Sequence, residues 1–234
     1  MYYGISYNNK HSFNDLGLTV LNTRVIETPS KIKITETVPF MNGSYDFSNL
    51  YGSNCYNERK LEYEFLIKAR NSTELEFKRM QVDQWLLSSN SKTPLIDDNL
   101  PGYYYKAECI STEFEDLINT GKLKATFTAY PFKIGEAYEG NNLWDSFNFE
   151  LDVLQDTKFT VNGTSSVSIY NSSIIDIEPQ IITSSQFEIT LDNKKYVVEA
   201  GTSKDYRFKF KKGSNNLTLK GNGTIEFRFR KEVL

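Results

Sequence analysis

The chain has 234 residues, of which 39% are apolar and 24% charged, with a net charge of −3. That length suits one large or two modest domains with real cores, and a charged fraction near the roughly 25% of ordinary globular proteins excludes disorder throughout. The slight acidic excess gives no reason to expect a nucleic-acid binder, and no run approaches the roughly 18 apolar residues that cross a bilayer.

The opening Met1-Tyr2-Tyr3-Gly4-Ile5 lacks the basic and apolar regions of a signal peptide, so the product is expected to stay in the cytoplasm that makes it until lysis. Lys31-Ile32-Lys33-Ile34-Thr35 alternates with period two and reads as a strand. Val38 to Ser48 then couples an Asn42-Gly43 turn to the aromatic–acid–aromatic segment Tyr45-Asp46-Phe47, and Asn57-Glu58-Arg59 leads into another apolar strand. Leu61 to Ile67 alternates over most of its length.

One helix is predicted. Asn71 caps its start, and Glu74 offers a capping-box exchange. Leu75, Val82, Trp85 and Leu86 fall on one stripe, which Phe77 and Met80 are expected to widen. Trp85 at this spacing reads as core, not as a sugar-stacking platform. Asp97-Asp98 before Leu100-Pro101-Gly102 marks a turn. Leu123, Ala125, Phe127 and Ala129 share one face of a later strand, with Lys122, Lys124, Thr126 and Thr128 on the other, the pattern of a half-solvated antiparallel sheet.

Lys133 to Asn142 carries the glycines and asparagines of a connector. Short strands follow at Ser166–Tyr170, Gln186–Leu191, Tyr196–Glu199, Tyr206–Phe210, Asn216–Leu219 and Ile225–Phe229, with Asp192-Asn193 as a hairpin turn. Strands at that spacing with no helix between them predict a β-sandwich. Residues 1–134 and 135–234 are therefore read as two domains, and the fold class as mainly β. The basic residues Lys209, Lys211 and Lys212 read as a solvated strand face. Cys55 and Cys109 read as reduced, semi-buried thiols, and the Asn-x-Ser/Thr triplets as turns.

The front half resembles the distal tail proteins of long-tailed, non-contractile phages. The likeness rests on an ordered set: His11-Ser12-Phe13, Gly43-Ser44-Tyr45-Asp46-Phe47-Ser48, Glu58-Arg59, Trp85-Leu86, Asp97-Asp98, Tyr103-Tyr104-Tyr105, and Thr126-Phe127-Thr128-Ala129-Tyr130-Pro131-Phe132. It covers about the first 132 residues and weakens beyond residue 140. The resemblance implies a tail-tube-like β-barrel or sandwich domain with one flanking helix, followed by a galectin-like β-sandwich. It further implies a homo-hexameric ring at the virion tail tip, joining the major tail or tube protein to tail-associated or receptor-binding proteins. The resemblance also implies a channel through which DNA passes without specific binding. The second domain leaves little room for an inserted receptor-gripping arm, so an armless hub is expected.

Within this reading, Asp46, Arg59, Trp85, Tyr103, Tyr104 and Tyr105 are the structural and interface candidates. Asp46 and Arg59 are expected to pair inside one subunit, and the tyrosines to supply contacts between subunits, although alternate ones must point inward. Neither a cofactor nor a metal is expected. His11 is the single histidine, too close in sequence to Ser12 and Asp15 for a convincing triad, and no glycine-rich phosphate loop opens a helix. The alternative reading is a glycan-binding sandwich for host-surface attachment, with Trp144 as its sugar platform; no histidine lies beyond residue 11 to complete a galectin-type polar set.

Overall fold

The computed structural model describes residues 3–48, 50, 54–117, 120–141 and 153–234. The fold is mainly β with one helix among the described residues. It divides into two compact units, Met1–Lys133 with Leu234, and Ile134–Val233.

The first unit runs β1 (Ile5–Tyr7), β2 (Lys10–His11), β3 (Thr19–Val20), β4 (Val25–Ile26), β5 (Thr35–Glu36), β6 (Tyr45–Asp46), β7 (Arg59–Lys68), α1 (Ser72–Leu87), β8 (Thr93–Asp97), β9 (Tyr103–Asp116) and β10 (Thr120–Gly135). Its main sheet has the order β2-β1-β8-β9-β10-β7-β3, with β4 also on β7. Alternation fixes the register at its centre. Leu61, Tyr63, Phe65 and Ile67 of β7 are buried opposite Phe127, Ala125, Leu123 and Gly121 of β10. The outward residues of the same strands make a charge ladder, Lys122 with Glu64 at 3.0 Å and Lys124 with Glu62 at 3.1 Å. A slip of one residue would bury those four charges, which excludes the alternative pairing.

Helix α1 begins as its sequence predicts. The Glu74 N–H donates to Asn71 Oδ1 at 2.8 Å, and Glu74 Oε2 accepts from the Arg70 N–H at 2.9 Å. The carboxylate thus reaches one residue further back than in a standard capping box. Leu75, Val82, Trp85 and Leu86 are buried, at about 1.5–3 kcal/mol for each fully buried side chain. Phe77 and Met80 do not widen that stripe: they are 62% and 63% exposed. At 100° per residue both fall on the opposite side of the helix from Leu75 and Leu86.

The second unit contains β11 (Lys158–Asn171), β12 (Gln180–Thr183), β13 (Phe187–Leu191), β14 (Lys194–Val198), β15 (Gly201–Ser203), β16 (Gly213–Arg228) and β17 (Glu232–Val233). The sheet order is β14-β13-β16-β12-β15, with β11 running the length of β16. The two strands expected at Asn216–Leu219 and Ile225–Phe229 are one, because β16 continues through Gly221 and Gly223. A Cβ at Gly221 would stand 2.7 Å from the Phe187 ring, so the glycine admits the core aromatic where a turn was expected. Tyr206–Phe210 is irregular; it is held by a bridge between Ile177 and Phe210 and by hydrogen bonds to the Arg207 and Phe210 carbonyls from Tyr196 OH and Asn171 Nδ2. Its Phe208 and Phe210 nevertheless join Phe227 in the core, with ring centroids 5.5–6.1 Å apart.

Candidate assembly surface

Asp97 organises the polar interior of the first unit. Its carboxylate is fully buried, and Oδ2 accepts from Arg24 Nη1 at 2.7 Å, Tyr63 OH at 2.9 Å and Tyr3 OH at 3.3 Å. Oδ1 takes the Asn99 N–H at 2.9 Å. One acid thereby ties the N-terminal segment, the β3–β4 connection, β7 and β8 together. Burial beside this carboxylate pushes Tyr3 up to about 12 and Tyr63 further up. His11 supports the same corner. Its Nδ1 accepts the Phe13 and Asn14 N–H groups, which leaves Nε2 to donate to Asp98 Oδ2 at 3.1 Å. These side chains hold loops together.

The residues singled out from the sequence separate in space. Asp46 and Arg59 do not pair. Asp46 is exposed, with Lys33 Nζ 2.6 Å from Oδ2 and the Ser48 N–H 2.9 Å from Oδ1, and these bonds hold its carboxyl well below the usual carboxylate range. Arg59 is buried on β7, where Nε donates to the Pro131 carbonyl at 2.8 Å and the guanidinium lies 5.6 Å from the Tyr105 ring centroid. Burial pushes Arg59 down, and its Nη2 has no hydrogen-bond partner among the described residues. The pairing fails because, among the described residues, β6 pairs with β5 and not with β7.

Trp85 is core, as its helical spacing indicates. Its Nε1–H donates to the Tyr7 carbonyl at 2.6 Å, and its ring meets Phe65 and Tyr7 edge-on. Tyr103 and Tyr105 are buried on one face of β9, which leaves Tyr104, half-buried on the other face, as the member of the trio that a neighbour can reach. Trp144, the possible sugar platform, lies outside the described residues. Among the described residues, no group of His, Cys, Asp and Glu side chains is placed to hold a metal ion.

The surface that sequence reasoning missed is the segment carrying β5 and β6. It is a two-stranded ribbon: Ile32 N–H donates to the Cys55 carbonyl at 2.8 Å, Phe47 N–H to the Ile34 carbonyl at 2.8 Å, and Asn57 N–H to the Ser30 carbonyl at 2.9 Å. Among the described residues no third strand joins it. Lys31 to Thr35 has no buried face, for Ile32 and Ile34 are both exposed, as are Val38, Tyr45, Phe47 and Leu50. At the tip Phe40 is fully exposed, with a φ of 66° that a bulky residue rarely adopts, and Gly43 at φ 92° makes the turn. The signal was present in the Asn-Gly turn flanked by large apolar residues. Alternation alone does not say whether the covering surface belongs to the same molecule.

Two comparisons with known proteins give matches. A family model described as a phage tail protein RIFT-related domain matches residues 11–129. The crystal structure of the SPP1 Dit (gp 19.1) protein, described as a paradigm of hub adsorption apparatus in Gram-positive infecting phages, matches with a TM-score of 0.67 at 13% identity. That match covers 100% of both chains, so the two share a fold from end to end. No curated protein matches.

Proposed function

The chain belongs to the phage tail protein family with a RIFT-related domain, and we propose that it is the distal tail hub of a siphophage. In this reading six copies close a ring at the tail tip, which joins the tail tube to the tail-associated or receptor-binding proteins and leaves a channel for DNA. Residues 1–134 form the ring, and residues 135–234 are a galectin-like domain. The likeness in fold to the SPP1 hub protein supports this role.

One observation carries the reading: the β5–β6 ribbon projects exposed Ile34, Val38, Phe40, Tyr45 and Phe47 without a core of its own. Large aromatic side chains present roughly 150–250 Å² each, and a lone two-stranded ribbon is marginally stable in water, so a covering molecule stabilises it. A surface that meets a different surface on the next copy makes a heterologous contact, and heterologous contacts close into rings when the rotation allows. The net charge of −3 suits a channel that lets DNA pass without holding it. The function is geometric, and no step of it calls for catalysis.

Native mass measurement and negative-stain imaging of the purified protein, alone and with its tail-tube neighbour, test the proposal. A six-fold particle is expected. Replacing Phe40 and Phe47 together by Ser should leave folded monomers that no longer assemble. Wild-type protein that stays monomeric in both preparations overturns the reading.

A further inference from the structure

Among the described residues, β14 of the second unit's sheet pairs only with β13, β15 only with β12, and β11 only with β16. Residues of β14 and β15 line one open groove of about 790 Å³, among them Tyr196, Val197, Ser203, Lys204 and Phe208.

The hairpin turn decides which main-chain groups face outward. Asp192 and Asn193 have φ of 50° and 61°, the signature of a two-residue type I′ turn, so the flanking Leu191 and Lys194 form a hydrogen-bonded pair. With Ile189 opposite Tyr196 and Phe187 opposite Val198, every second residue of β14 bonds inward to β13. The N–H and C=O groups of Lys195 and Val197 therefore point away from β13 along the free edge. Val197 itself is 64% exposed, so its side chain is available to pack on an added strand.

Charge selects the kind of strand. Lys195 is neutralised by Glu188 at 3.1 Å, and Arg207 by Asp205 at 2.8 Å. Lys194 and Lys204, which also line the groove, have no ion-pair partner among the described residues, and against the Glu199 carboxylate, bonded there to Gln186, they leave the lining net positive. Lysines on an edge strand also repel a second copy of the same edge, which would bring lysine against lysine. The same charges that block self-pairing favour an acidic partner. We propose that the β14 edge is a strand-addition site for an extended, acidic segment of another protein. This site lies within the second unit and does not depend on the ring.

The test uses the full chain and a blocked hexapeptide alternating valine and glutamate, with binding followed by fluorescence anisotropy and amide exchange. Binding should slow exchange at Lys195 and Val197. The Val197→Pro variant removes an outward N–H that β13 does not use, a change that edge strands tolerate, and should weaken binding at least about tenfold with an unchanged circular dichroism spectrum. A peptide N-methylated at alternate amides should lose affinity for the wild-type protein by a similar factor, whatever the fate of the variant. Lys194→Glu with Lys204→Glu should reverse the preference toward a valine–lysine peptide. No binding at millimolar peptide, or equal binding of the N-methylated peptide, overturns the proposal, and either result is compatible with an intact hexameric ring.

Discussion

The β5–β6 ribbon and the β7–β10 ladder of the first unit are both alternating, apolar and rich in aromatics, yet they lie at opposite extremes of burial. In the ladder, Leu61, Tyr63 and Phe65 are fully buried against β10. In the ribbon, Ile32, Ile34 and Phe47 remain exposed. The difference lies in what stands opposite. β7 has partners on both sides and α1 over its buried face, whereas β6 has only β5 among the described residues. Periodicity therefore identifies an apolar face, and topology decides whether the chain covers that face itself or leaves it for another molecule.

A matched pair of substitutions tests this contrast most severely. Ile67→Asp would bury a charge where the wild-type side chain is 1% exposed, and should abolish folding, since an unpaired buried charge costs several kcal/mol. Ile34→Asp, at a position 54% exposed, should shift stability by no more than about 0.5 kcal/mol while disrupting assembly. Urea melts followed by native mass measurement read both. Equal destabilisation by the two would erase the distinction between ladder and ribbon.

Next in size is Trp85→Phe. It keeps most of the packing against Phe65 but leaves the Tyr7 carbonyl without its donor, and should cost about 1–3 kcal/mol in equilibrium unfolding. No comparable loss is expected from Phe77→Ser, because that side chain lies on the solvent face of the same helix.

Alkaline pH gives a further probe of the ladder side. Tyr3 and Tyr63 are held protonated in the folded protein above the ordinary tyrosine value of about 10, so the native state binds more protons than the unfolded chain. Their contribution is complete below pH about 10 and is lost as pH rises toward 12 and beyond. Melting temperature should therefore fall across that range, and less steeply in Tyr63→Phe. A slope unchanged by that substitution would remove Tyr63 from the account. The smallest effect belongs to the ribbon: Asp46→Ala breaks an exposed pair with Lys33 and should leave the melting temperature unaltered.

Local signals were legible where the chain's near neighbours decide the outcome. The Asn71 cap, the alternation from Leu61 to Ile67 and the Asp192-Asn193 turn all appear as read, because capping, pleat and turn geometry act over a few residues. The Asp46–Arg59 pair was misread because it assumed that the strand after the Asn-Gly turn lies beside β7. Phe77 and Met80 were misplaced for a related reason: α1 carries apolar residues on opposite faces, and counting along the helix does not say which face meets the sheet. The tyrosine trio was half legible, since alternation correctly separates Tyr104 from its neighbours but leaves open which face is inside.

By itself the amino-acid order determined the mainly-β class, the position of the helix and the ordered motifs that resemble distal tail proteins, since each depends on spacing along the chain. Tertiary structure alone decided that the ribbon stands free, that Asp97 gathers three donors from separate segments, and that β14 keeps an open edge. Those outcomes turn on which strands become neighbours across long sequence separations, a competition among global packings that short-range pattern does not encode.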